Sequence, residues 1–304
     1  MARQNVAMAK AGYREVRRVI RHGLSYPWRR YVAPAGILKR KAIRTDRSGD
    51  ITVCALTSQK DWLSCMWSLA SFYEFSGLRF PALIYSDGTL GESHARELAT
   101  ILPDGRFISS AEGEDVVGKA LLPYPNCMKF RRLQPYARKI LDLPILCSSP
   151  FILIFDSDVL FLKRPEELIQ VLRSDLSGRF VFERDCQESY FATPAEIKER
   201  FEVDIASRVN VGIVAADVSN FDLARIERWL VQDEVVRHPW AEQTLWAMYA
   251  GRERTEILGE GYDVTVTPHI EPWTVAKHYV RPIRDFMYTE GIPYLKRHLQ
   301  FPAS

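Results

Sequence analysis

Asp156 and Asp158, two carboxylates spaced i, i+2, close an unbroken apolar run, Phe151-Ile152-Leu153-Ile154-Phe155. A short run of this kind reads as a strand buried on both faces of a parallel sheet. In open α/β sheets the carboxyl ends of the strands face the ligand crevice. Ionised acids inside the core would lack partners. At the rim, a hard divalent cation such as Mg²⁺ or Mn²⁺, which prefers oxygen ligands, is their natural partner. The competing reading is a strand that merely ends in a polar turn, since a triplet this short recurs by chance.

A sheet must hold that strand, and the flanking sequence supplies one. Ile51–Leu56 reads as a first buried strand with Thr57, Ser58, Gln59 and Lys60 as the polar turn at its carboxyl end. Trp62, Leu63, Met66, Trp67, Leu69, Ala70 and Tyr73 fall at helical spacing, and Gly77 is placed to end that helix. Phe80–Tyr85 is a second strand closing in Ser86-Asp87-Gly88, followed by a helix near Glu92–Ile101 and a strand near Arg106–Ser109. This alternation predicts an α/β fold with a mostly parallel, Rossmann-like sheet and right-handed crossovers. Residues 127–143 read as a basic helix that Pro135 must kink or restart. Lys129, Arg132 and Arg138 on it either face the acid pair or form a solvated face.

Beyond the acids, Val159–Leu162 continues extended, and Pro165 stands in the first turn of a helix. Phe180–Glu183 and Val209–Asp217 read as strands. The second carries Asn210, which both donates and accepts hydrogen bonds, and Gly212, which permits close backbone approach or a bulge. Residues 222–235 read as a helix, and Trp240–Trp246 opens another. Glu242 and Gln243 stand in its first turn, where a carboxylate is favoured. A final cluster, residues 269–281, holds His269 and His278.

The 304 residues and 47% hydrophobic content suffice for a substantial core. The net charge of +3 hides an asymmetry. Residues 1–48 carry 13 Lys/Arg against 2 Asp/Glu, a charge of +11, which leaves −8 on the rest. The expected division is a basic extension, 1–48, and one large domain, 49–304. Val16, Val19, Ile20 and Leu24 among Arg14, Arg17, Arg18 and Arg21 fit a short basic amphipathic helix. It suits either an anionic membrane face or packing on its own domain. No recognition motif accompanies the charge, so nucleic acid is not an expected partner. No apolar run reaches membrane-spanning length, and no signal core opens the chain. The five cysteines form no CxxC pair, which fits a reduced cytoplasmic setting. A Walker loop and a GxGxxG fingerprint are absent, against kinases and dehydrogenases.

Taken in order over about residues 50–285, these segments resemble the GT-A fold glycosyltransferases that use nucleotide sugars, of the glycogenin and galactosyltransferase type. Asp156-Ser157-Asp158 looks like their DxD motif, Asn210-x-Gly212 like their asparagine–x–glycine strand, and Glu242-Gln243 like their acid–glutamine pair. The resemblance implies a metal-dependent transfer of a sugar from a nucleoside diphosphate, UDP by preference, to a carbohydrate or other hydroxyl acceptor. Asp156, Asp158 and His278 would hold Mn²⁺ or Mg²⁺. Thr57, Ser58 and Asp87 would hold the nucleoside, and Lys129 and Arg132 would offset phosphate charge. Asn210, Gly212, Glu242 and Gln243 would line the sugar and acceptor side, with Glu242 as base if the reaction inverts. The family's glycine and Lys-Pro-Trp segment after the histidine is replaced here by Val280-Arg281-Pro282-Ile283-Arg284, which leaves the phosphate contacts and the stereochemistry open. Two rivals remain. A haloacid-dehalogenase-like phosphatase would use Asp156 as nucleophile, although its motif opens the fold and a Gly-Asp-x-x-x-Asp follows it. The other is a non-catalytic sugar-binding protein.

Overall fold

The computed structural model describes residues 12–13 and 15–299. Seven strands form the main sheet: β1 (Ile51–Thr57), β2 (Ala82–Ser86), β3 (Arg106–Ile108), β4 (Phe151–Phe155), β6 (Phe180–Arg184), β7 (Val209–Asp217) and β8 (Thr255–Ile257). Their order is β3-β2-β1-β4-β7-β6-β8, and β7 alone runs against its neighbours. The apolar runs are strands because both of their faces are covered. Ile152, Leu153 and Ile154 are each fully buried, alternating between two cores on opposite sides of the sheet.

One core gathers the helix Trp62–Ser76 with Phe155, Phe161 and the carboxyl-terminal helix Ile292–His298. Gly77 ends the first of these helices at φ 71°, a left-handed position that costs glycine little. The other core gathers the helices Ala137–Leu146 and Ala241–Ala250. Every residue of Ala241–Ala250 is buried, so this helix is walled on all sides rather than amphipathic. The basic segment around Pro135 does restart. Pro125–Leu133 is one helix and Ala137–Leu146 the next, and Arg131 of the first reaches Asp142 of the second at 2.9 Å. The stretch 222–235 is likewise two helices, Leu223–Trp229 and Asp233–Arg237, parted by a turn in which Val231 is 70% exposed.

A small second sheet is made of β5 (Val159–Phe161), β9 (Tyr262–Asp263) and β10 (Ala276–His278), in the order β5-β10-β9. Antiparallel pairing places His278 opposite Val159.

Residues 26–48 lie along the body. Tyr26 and Ile37 are fully buried, Trp67 donates to the Pro34 carbonyl at 2.9 Å, and Ile43 N–H donates to the Ile101 carbonyl at 2.7 Å. One carboxylate, Asp285, receives Arg18, Tyr26 and Arg30 together. No helix among the described residues is long and apolar enough to cross a membrane.

Candidate active site

Backbone pairing, more than chain order, assembles the site. The Asp156 N–H donates to the Gly212 carbonyl at 2.8 Å, which keeps β7 beside the acid pair. The Tyr279 N–H donates to the Asp158 carbonyl at 2.8 Å, which fixes β10 against it. His278 Nε2 then lies 3.5 Å from Asp158 Oδ1 and 3.8 Å from Asp156 Oδ2. One ligand atom from each of Asp156, Asp158 and His278 falls within 4.8 Å of the others. All three line a cleft of about 320 Å³ with Asp61, Tyr136, Lys139, Asn210, Glu242, Gln243 and Arg284.

The histidine is held from behind. Its Nδ1 stands 3.0 Å from Asn210 Oδ1 and 3.3 Å from Glu183 Oε2, two acceptors, so the Nδ1 proton points away from the acids. That leaves Nε2 as the atom facing them, the arrangement by which an outer partner orients a metal-binding imidazole. Gly212 makes the packing possible. A Cβ there would clash with His278 Nδ1 and stand 2.5 Å from Glu183 Oε2. Glu183 is re-aimed by a register shift in β6 after Phe182, is fully buried, and has neither carboxylate oxygen hydrogen-bonded. Burial pushes its carboxyl up, with His278 opposing.

The charges in the cleft are strongly coupled. Burial works against ionised Asp158, but His278 and Arg284 outweigh it and hold that carboxyl far below the usual range. Burial likewise opposes the His278 imidazolium, and Asp158 and Glu183 raise it. Arg284 pairs directly with Asp158 Oδ2. On the opposite wall the Lys139 ammonium donates to Asp156 Oδ1 at 2.8 Å and to the Val211 carbonyl at 3.3 Å. It also stands 3.5 Å from Glu242 Oε1. Burial pushes the Glu242 carboxyl up to about 7, with Lys139 pulling the other way. A carboxyl poised there can take or give a proton near neutrality. Two acids and an imidazole on one rim fit a hard divalent cation better than a soft one.

Asp156, Asp158, His278, Asn210, Glu242 and Gln243 therefore come together. The Asn210 side chain is largely committed, accepting from Gly212 N–H and donating to Asp185 at 3.0 Å each. Gln243 donates to the Ser189 carbonyl at 2.9 Å and reaches Asp185 at 3.3 Å. Thr57 and Asp87 meet at the ends of β1 and β2, where Asp87 N–H donates to the Thr57 carbonyl at 3.0 Å. Thr57 accepts from Ser157 Oγ at 3.4 Å, and Ser58 donates to Asp61 at 3.1 Å. Lys129 and Arg132 do not reach the cleft. Lys129 pairs with Asp233 at the surface, and Arg132 is exposed. The restart at Pro135 rotates the second helix so that Lys139 faces the acids. Arg138 instead donates to the Ser86 carbonyl at 3.3 Å.

Lys139, Arg284 and Glu183 are the site residues that the sequence reading passes over. A charge inside an apolar helical run marks Lys139, and a carboxylate at a strand end marks Glu183, as it does Asp156. Arg284 carries no local signal beyond lying six residues after His278.

No family model matches the chain, and no curated protein matches it by sequence. Solved structures do match its fold. Mouse xyloside xylosyltransferase 1 in its apo form is 13% identical, with a TM-score of 0.51 over 76% of this chain and 98% of that one. The galactosyltransferase LgtC, in complex with donor and acceptor sugar analogs, is 12% identical, with a TM-score of 0.51 over 83% and 97%. The glycosyltransferase GlyE of Streptococcus pneumoniae TIGR4 is 12% identical, with a TM-score of 0.51 over 84% and 66%. At such identities the likeness establishes the architecture: an α/β, GT-A type fold.

Proposed function

We propose that the chain is a metal-dependent glycosyltransferase that moves a sugar from a nucleoside diphosphate, UDP by preference, to an acceptor hydroxyl. The observation that carries this reading is the meeting of Asp156, Asp158 and His278 within 4.8 Å, at the rim of a GT-A type sheet. A divalent cation held by these three, Mn²⁺ or Mg²⁺, would act there as Lewis acid and template for the diphosphate leaving group. Asn210 and Glu183 orient His278 from behind. Arg284, paired with Asp158 across the cleft, can swing its fixed charge onto diphosphate oxygens. It thereby takes the part assigned in the sequence to Lys129 and Arg132. Lys139 holds Asp156 in place and keeps a positive charge beside Glu242.

In this reading Thr57, Ser58 and Asp87 hold the nucleoside, while Gly212, Asn210 and Gln243 shape the sugar side. If the reaction inverts, Glu242 is its base. Its raised carboxyl supports that role, and stereochemistry follows from whether it touches the acceptor. The extension 1–48, the domain 49–304 and a cytoplasmic setting belong to the same proposal. Five free cysteines support the setting. The fold likeness weighs against the phosphatase reading of Asp156 and gives no preference to a sugar-binding role without catalysis.

Thermal denaturation of the whole chain with UDP, other nucleoside diphosphates and Mn²⁺, separately and together, tests the reading. The expected result is stabilisation by UDP that requires Mn²⁺ and is lost in Asp158→Ala, which still unfolds cooperatively. Transfer activity of Asp158→Ala in EDTA equal to that of the parent chain would overturn it.

A further inference from the structure

The amino-terminal arm has an inner side tied to the body and an outer side that is largely exposed, although Lys296 Nζ lies 6.0 Å from the Trp28 ring centroid and Arg21 lies 5.5 Å over Phe286. On the inner side, Arg18, Tyr26 and Arg30 converge on Asp285, and Lys296 donates to the Ala33 carbonyl at 2.7 Å. On the outer side stand large apolar side chains: Val16 is 57% exposed, Ile20 78%, Leu24 91% and Trp28 58%. They recur at intervals of four residues, across the helical residues 15–22 and the helix Tyr26–Tyr31. Tyr31 and Val32 extend the row. Scattered apolar side chains on a surface need no explanation, but this many large ones exposed along one short arm mark an interaction site.

Positive charge dominates beside the row: Glu15 is the single acid in residues 15–32, and it is paired with Arg18 at 3.4 Å. Arg17 and Arg21 are exposed, and neither forms an ion pair among the described residues. With Arg18, Ile20 and Asp285 they line a groove of about 500 Å³. Asp285 is already neutralised by its three arm partners, so the groove presents net positive charge. Arginines flanking a row of Ile, Leu and Trp match the two halves of an anionic lipid surface, phosphate above and acyl chain below. A nucleic acid would engage the arginines but leave the aliphatic row in water.

We infer that residues 16–32 form a docking surface for an anionic lipid bilayer, with Ile20, Leu24 and Trp28 entering the interface and Arg17 and Arg21 seated on headgroup phosphates. Attachment of this kind is peripheral, and no helix among the described residues is long and apolar enough to cross a membrane. This inference is independent of the transferase reading, since none of these residues lines the cleft.

Co-sedimentation of the full chain with vesicles tests it. One set is phosphatidylcholine alone and the other is phosphatidylcholine mixed with phosphatidylglycerol. The parent chain is expected to pellet with the mixed vesicles and remain in solution with the neutral ones. Each arginine near the surface is worth about fivefold in partition, so Arg17→Glu with Arg21→Glu lowers binding by at least roughly 25-fold. Ile20→Ser with Leu24→Ser lowers it as well, and does so even in low salt, while neither pair shifts the melting midpoint. Equal binding to both vesicle types, no binding to either, or binding untouched by both pairs overturns the inference. A dimer in light scattering that Ile20→Ser with Leu24→Ser converts to monomer also overturns it, in favour of self-association.

Discussion

Arg131, Asp142 and Tyr85 form one buried ionic cluster; Asp156, Asp158, His278, Glu183 and Glu242 form another about the sheet rim. In the first, Arg131 Nε donates to both Asp142 oxygens at 2.9 Å. Its other nitrogens reach Glu114 and the Tyr85 hydroxyl, and Tyr85 donates to Asp142 at 2.8 Å. None of these side chains has an orphaned polar atom. In the second, both Glu183 oxygens and Glu242 Oε1 lack a well-formed hydrogen bond and have only looser ionic neighbours, His278 Nδ1 at 3.3 Å from Glu183 Oε2 and Lys139 Nζ at 3.5 Å from Glu242 Oε1. Buried polar groups are normally bonded, so the exceptions need a cause. The contrast teaches that burial and charge alone do not mark a functional site; acids left short of full hydrogen bonding in and behind a cleft wall do. The closed cluster pins two helices where Pro135 breaks them, whereas the open one keeps acceptor capacity in reserve.

Substitutions can break that contrast in graded steps. The largest effect is expected from Arg131→Met, which strands Asp142 in the core and should cost about 3–5 kcal/mol. Urea unfolding measures the loss, and any surviving Mn²⁺-dependent shift should be unchanged in sign. A loss under about 1 kcal/mol would mean that the closed cluster is not structural.

Next comes the pH dependence of Glu242. Its folded carboxyl is raised by burial from the ordinary 4.5 to about 7. The native state therefore binds the extra proton, and stability falls as pH rises through that window. Relative to Glu242→Gln, the parent chain should lose on the order of 3 kcal/mol between these two pH values. Parallel stability curves for the two proteins would show that Glu242 is ionised without strain.

The smallest effect on folding is expected from Gly212→Ala, an overpacking of about 1–3 kcal/mol. Its signature lies elsewhere: the displaced His278 should abolish Mn²⁺-dependent stabilisation while the chain still unfolds cooperatively. Intact cation dependence would show that the close approach at Gly212 serves packing alone.

Much of this architecture was legible because its strands are buried on both faces. β1, β4 and β7 announce themselves as apolar runs, and the acids at the end of β4 fall where a sheet rim puts them. Pro135 marks a break in the sequence, but a break resets helical phase. That reset is why Lys139, and neither Lys129 nor Arg132, faces the acid pair. Of the small sheet only β5, inside the extended Val159–Leu162, is legible, and the rest is hidden for a different reason. Its strands are two or three residues long, too short for any periodicity, and β10 pairs with β5 across more than a hundred residues of chain. His278 could be placed by its resemblance to a family motif, but its contact with Asn210 and Glu183 depends on a register shift in β6 that no local pattern encodes.

Arg284 and Asp285 are neighbours in sequence that face opposite ways, one clamped to Asp158 and the other to Arg18, Tyr26 and Arg30. A single peptide unit thus joins the basic arm to the acid pair at the sheet rim. Trimming the chain back to Ile51 would strip Asp285 of all three counter-groups and free the turn that aims the neighbouring guanidinium. What looks like a dispensable leader is, mechanically, the backstop against which that guanidinium is braced.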